Sequence, residues 1–270
     1  MELQVKTMPI WKWILELVMG VVIFLIVYVS AQVAFMIEEQ WLESFVFIIA
    51  GMAIIGLFQL WTRGFEKEWR KDTASHPRKL CGGIAIGTLY FCVVTGILAA
   101  IGAYRASYAS PHWEMIVVNL CFNFFVACSE EVIFRGVLFR LIDERFGCWW
   151  AMGVSSLVFG FSHMFQPEAT VWSSIAITVE AGLLLGAAYR YAGTLWFPIG
   201  IHWAWNFTQG NVFGLVVSGG GTEESIMNAT LTGPDLITGG SFGTEASVIT
   251  TTLGCLLSGL FIYLIKHRKC

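Results

Sequence analysis

The chain has 270 residues, of which 56% are hydrophobic and 13% charged, with 12 Trp, a mean hydropathy of +0.69 and a formal net charge of -3. A soluble domain of this length carries roughly a quarter charged residues. The composition therefore excludes a soluble enzyme and a basic nucleic-acid binder, and predicts a polytopic membrane protein. The 7 Cys, at positions 81, 92, 121, 128, 148, 255 and 270, form no CxxC pair and read as small buried thiols, neither a disulfide framework nor a metal knuckle. The first apolar run is too long for a cleavable signal, and no small-residue cleavage site follows it.

In chain order, eight apolar segments emerge, each near the length that crosses a bilayer at 1.5 Å per residue. They are Ile14–Met36, Phe45–Trp61, Leu80–Ala103, Glu114–Leu138, Cys148–Phe165, Val171–Tyr189, Thr194–Val217 and Ala246–Ile265. The third is rich in glycine, which permits close helix approach. Between the last two lies a Gly/Ser/Thr-rich loop, Ser218–Glu245, carrying Glu223, Glu224, Asp235 and Glu245 without any Lys or Arg. Long uninterrupted apolar runs are incompatible with barrel strands. The predicted fold is all-α: a transmembrane helical bundle of about eight spans, residues 1–270 forming a single integral membrane domain with no repeat.

The basic residues orient it. Of 16 Lys and Arg, all but Arg105 and Arg135 fall in segments that alternate onto one side, among them Lys6, the stretch Arg63–Lys79, Arg140, Arg145, Arg190 and the tail Lys266–Lys269. By the positive-inside rule that side is cytoplasmic. Both termini are then cytoplasmic, in a cell (plasma) membrane, and Ser218–Glu245 faces outward, with Asn228-Ala229-Thr230 fitting a glycosylation sequon there.

Few ionisable groups lie within the spans, and such groups are costly in hydrocarbon unless functional. No charge occurs from Met115 to Ser129, and then Glu130, Glu131 and Arg135 follow. Glu131 and Arg135 are four residues apart and share a helix face, whereas Glu130 is rotated about 100° away. Arg135 can thus hold Glu131 and leave Glu130 to a cavity. Phe159 and His163 repeat the i,i+4 spacing, as do His202 and Asn206. A hairpin turning near Phe146–Gly147 sets Glu130 level with His163, and His202 falls at a similar depth, near mid-membrane. This set suits peptide hydrolysis. Glu130 and His163 activate a water, while His202 and Asn206 donate to the oxyanion. Glu131 and Arg135 provide structural support. Glu180 reads as structural, and His76, His112 and His267 as solvated. No cofactor is expected; zinc on two histidines and a glutamate is the alternative, although HExxH is absent. A proton-relay transporter is disfavoured by the lack of an inverted repeat.

The motifs Glu130-Glu131-x-x-x-Arg135, Phe159-x-x-x-His163 and His202-x-x-x-Asn206, in this order on successive apolar segments, resemble the CAAX protease and bacteriocin-processing (CPBP, or Abi) family of intramembrane glutamate proteases, which includes the type II CAAX prenyl endopeptidases. Gly193–His202 is similar to the lead-in to that family's histidine–asparagine motif, and the likeness covers about residues 115–210, the expected catalytic core. The resemblance implies an endopeptidase acting on a membrane-associated protein or hydrophobic peptide, with the residue roles just derived. The remaining alternative is a non-enzymatic membrane immunity or regulatory protein. Oligomeric state and substrate identity are not legible.

Overall fold

In the computed structural model, residues 8–67, 69–74, 76–221 and 224–267 are described; Lys6, Glu68, Glu223, Arg268, Lys269 and Cys270, which entered the charge and cysteine readings, lie outside them. Among the described residues eight helical rods succeed one another. They are α1 (Ile10–Ala31, prolonged by a tighter turn Gln32–Met36), α2 (Gln40–Glu66), α3 (Pro77–Ala100), α4 (Trp113–Phe146), α5 (Cys148–Ser162), α6 (Val171–Ala192), α7 (Trp196–Phe207, prolonged by Thr208–Val212) and α8 (Val248–His267). The helical membrane bundle is as expected, the structure being nearly all-α. The expected count of about eight spans is approximate: six rods, α1–α4, α6 and α8, are long and apolar enough to cross a membrane.

The two others are short for a physical reason. α5 has 15 residues, about 22 Å of helix, and the α-helical part of α7 has 12. Neither reaches the roughly 30 Å of a hydrocarbon core. α7 is buried along nearly its whole length, so protein rather than lipid surrounds its ends. Hydropathy cannot distinguish such a helix from a span.

Local chemistry sets the helix limits. Pro77 opens α3 with its fixed φ at the first helical position. Thr170 and Ser173 form a capping box at the start of α6. Gly147, at φ +94°, makes the sharp turn between α4 and α5, and Gly193, at φ +67°, ends α6. Three segments widen into π geometry: Val132–Phe139 in α4, Thr178–Gly182 in α6 and Thr208–Val212 after α7. Such turns concentrate at functional sites.

The closest helix crossing joins α3 to α7. A Cβ at Gly83 or Gly87 would run into the backbone carbonyls of Phe197 and Ile201, and one at Gly200 would lie 2.5 Å from the Leu80 carbonyl. Lipid offers little hydrophobic drive for helix association, so this backbone-to-backbone contact is what fixes α7.

The two ends of the bundle differ. At one, the basic connectors meet: Asp72 accepts from the Tyr189 hydroxyl at 2.8 Å, its carbonyl from Thr194 Oγ1 at 2.7 Å, and Arg70 pairs with Glu144 at 3.3 Å. At the other, β1 (Tyr104–Tyr108) and β2 (Met227–Leu231) pair antiparallel, from Tyr104 opposite Leu231 to Tyr108 opposite Met227. The sequence reading expected only loop there. His112, expected to be solvated, contacts Glu224 through its backbone N–H at 2.7 Å and its ring at 3.1 Å. Those hydrogen bonds hold the Glu224 carboxyl below its ordinary value. The expectation of buried thiols is also corrected: Cys121 and Cys128 are buried, but Cys81, Cys92 and Cys255 are exposed. Glu16, in α1, is fully buried.

The glycine contacts and the His112–Glu224 pair can each be tested. Gly87→Leu should lower stability by about 1–3 kcal/mol, because backbone must move, whereas Gly96→Leu on the same helix meets nothing and should be near neutral; thermal unfolding in detergent compares them. Glu224 has a depressed folded-state pKa, so its contribution is present above the unfolded value and lost as pH falls. The small unfolding-temperature difference between wild type and Glu224→Gln at pH 6 should close below about pH 4.

Candidate active site

The i,i+4 spacing at the heart of α4 produces the ion pair it predicts. Arg135 Nη1–H donates to Glu131 Oε1 at 2.9 Å, and neither side chain has any exposure. Arg135 Nη2 turns to the Gly182 carbonyl at 3.1 Å and the Ala181 carbonyl at 3.4 Å. Both acceptors belong to the π turn Thr178–Gly182. The guanidinium also lies over the Phe159 ring, 4.6 Å from its centroid.

Glu131 has a second partner that the sequence did not reveal. Its Oε1 lies 3.0 Å from His202 Nδ1. A carboxylate that accepts from Arg135 also accepts an N–H from Nδ1, which fixes the ring and turns Nε2 the other way. Nε2 comes within 3.9 Å of Glu130 Oε2. The side chain of Glu130 is 21% exposed, against none for Glu131. Glu130 Oε2 accepts no hydrogen bond from the protein.

His163 is reached through Phe159. Phe134 and Phe159 meet edge to face at 4.9 Å across the α4–α5 hairpin, and Glu130 and His163 each lie one turn further on. His163 Nδ1–H donates to the Phe159 carbonyl at 2.8 Å, so in the neutral ring Nε2 is the nitrogen that carries the free lone pair. His163 begins the tight turn His163–Phe165 that ends the short α5. Phe159 separates the two imidazoles, with ring centroids 5.0 Å from His163 and 6.1 Å from His202.

His163, His202 and Asn206 line one small pocket, together with Phe159, Trp205 and residues of α6. Asn206 is one turn beyond His202 and is buried. Thus Glu130 meets His202, and the pocket gathers both histidines with Asn206. Glu131 and Arg135 are fully buried and do not line the pocket. Glu180 is fully buried in the π turn, and its carboxylate oxygens accept no hydrogen bond from the protein. Ser218 and Glu245 complete the pocket wall, although their segment reads in the sequence as an outward-facing Gly/Ser/Thr-rich loop. No local pattern marks them; they become part of the site only through the fold. Among the described residues no three His, Cys, Asp or Glu side chains converge as metal ligands do.

No curated protein and no solved structure shows a significant match to the chain. Residues 112–208, a stretch containing Glu130, Glu131, Arg135, His163, His202 and Asn206, match the family model described as type II CAAX prenyl endopeptidase Rce1-like, and in this segment the chain is similar to that family.

Proposed function

We propose that the protein is an intramembrane endopeptidase that hydrolyses a peptide bond in a membrane-associated protein or hydrophobic peptide with a water activated by Glu130 and His163. The observation that carries this reading is the bridge from Arg135 through Glu131 to His202 Nδ1, which leaves Nε2 opposite the unpartnered oxygen of Glu130. One carboxylate is committed to structure, and the other is available for chemistry.

Each step has a group suited to it. Glu130, with His163 Nε2, takes a proton from water, and the oxygen attacks the scissile carbonyl. The developing oxyanion accepts from His202 Nε2–H and from the Asn206 amide; preorganised donors of this kind are worth about 3–4 kcal/mol each. For His202 to donate at Nε2 while donating at Nδ1, the ring is an imidazolium. Its charge and that of Arg135 then balance those of Glu130 and Glu131, as a low-dielectric site requires. The proton held by Glu130 passes to the leaving amine. Breakdown of the tetrahedral intermediate needs no resident metal on this route, so activity in detergent should survive a chelator.

The topology proposed with it has both termini and the basic end of the bundle in the cytoplasm of the cell membrane, and the β1–β2 ribbon outside. The membrane-facing composition and the family match support a bilayer-embedded peptide substrate.

The test compares membrane-protein fragments from cells carrying the wild type and Glu130→Ala. Fragments present only with the wild type are expected, and identical fragment sets would overturn the reading. Once a substrate is in hand, Glu130→Ala and His163→Ala should lower kcat by at least about a hundredfold, and Asn206→Ala by about a hundred- to a thousandfold, in each case with normal membrane insertion.

A further inference from the structure

The pocket wall contains two residues with no part in the hydrolytic reading, Ser218 and Glu245. Both belong to the segment between α7 and α8, at the ribbon end of the bundle. Glu245 is 2% exposed. Its Oε1 accepts the Trp205 Nε1–H at 3.0 Å, and Trp205 immediately precedes Asn206. Its Oε2 accepts both the backbone N–H of Ser218 and the Ser218 hydroxyl, the latter at 3.0 Å. One carboxylate therefore ties the helix that carries His202 and Asn206 to the turn that closes over them.

That turn is held in an unfavourable conformation. Ser218 sits at φ +48°, in the left-handed region that residues with a Cβ avoid, and Gly219 follows at φ +73°. Strain of this kind persists only where other contacts enforce it. Here the enforcing contacts are the two bonds to Glu245 and one from Gly219 N–H to the Phe242 carbonyl at 2.8 Å. The Glu245 side is anchored separately: Thr250 Oγ1 donates to the Thr244 carbonyl at 2.6 Å and Trp172 Nε1 to the Ala246 carbonyl at 2.8 Å. Release of Ser218 thus need not disturb the segment bearing Glu245.

The enclosed space is about 10 Å³, enough for a single water and far too little for a peptide. Resting on the hydrolytic reading for what must enter, we propose that Glu245 is a further residue of this site: a latch that holds Ser218 over the pocket, whose release admits the substrate backbone from the ribbon end. Glutamate suits the task because its two oxygens meet donors only, the indole N–H on one side and the Ser218 N–H and hydroxyl on the other. An isosteric amide must turn its own NH₂ toward one of those donor sets.

The test uses the full chain in native membranes, with Ala181→Cys, a pocket-lining position, as the sole cysteine, and N-ethylmaleimide as the probe. Adding Glu245→Gln should speed alkylation about tenfold, and Ser218→Ala, which removes one of the two bonds, by a smaller factor. A parallel chain retaining only Cys128, which is fully buried beside the site, should stay slow in both backgrounds and so exclude general unfolding. If Glu245→Gln fails to fold, Ser218→Ala decides alone. Unchanged alkylation of the Ala181→Cys reporter in every folded variant would overturn the latch. Alkylation needs no peptide cleavage, so faster labelling without Glu130-dependent fragments would overturn the protease reading and leave the latch standing.

Discussion

A carboxylate with no exposure, gripped by an arginine on one side and an imidazole on the other, sets the arrangement of the whole candidate site. In a medium of low dielectric a buried charge must be paired and hydrogen-bonded, and removing one partner of such a pair costs about 3–5 kcal/mol. Glu131 meets that demand with Arg135 from its own helix and His202 from α7. Arg135 extends the constraint to α6 through two backbone carbonyls and to α5 through the face of Phe159. Four helices are thereby referenced to one another by polar contacts, in a setting where lipid supplies little hydrophobic drive. The glycine contact of α3 against α7 completes the frame from the far side.

The same constraint divides the two adjacent glutamates. The helical turn between them sends Glu131 into the protein and Glu130 toward the partly open side, 21% exposed. Pairing Glu131 leaves His202 a single free ring nitrogen, and that nitrogen faces Glu130. Phe159 has a comparable dual use, since its carbonyl fixes His163 and its ring supports Arg135. Under the proposed function the reacting groups are thus oriented by neighbours that need not touch a substrate, which is how preorganised sites keep their geometry.

Much of this was legible in the sequence wherever it depends on helix periodicity. Glu131 with Arg135, Phe159 with His163, and His202 with Asn206 each lie one turn apart, and composition alone identified a membrane bundle. The hairpin at Gly147 followed from the turn between two apolar runs. What could not be read is what depends on contacts across the fold. Glu131 and His202 are 71 positions apart. The π turns have no compositional mark, yet one of them supplies the carbonyls that hold Arg135. α5 and α7 looked like spans because hydropathy reports apolar content and not what surrounds a helix. Glu245 sat in a loop of Gly, Ser and Thr, and only the fold-back of that loop buries it against Trp205.

The division of labour between the two glutamates is tested most directly by Glu130→Gln and Glu131→Gln side by side, with substrate cleavage and thermal unfolding in detergent measured on the same preparations. Glu130→Gln should abolish cleavage and leave the unfolding temperature close to wild type, while Glu131→Gln should lose cleavage and unfold several degrees lower, as expected for a broken buried ion pair. Cleavage retained by Glu130→Gln, or an equal loss of stability in both variants, would contradict the account.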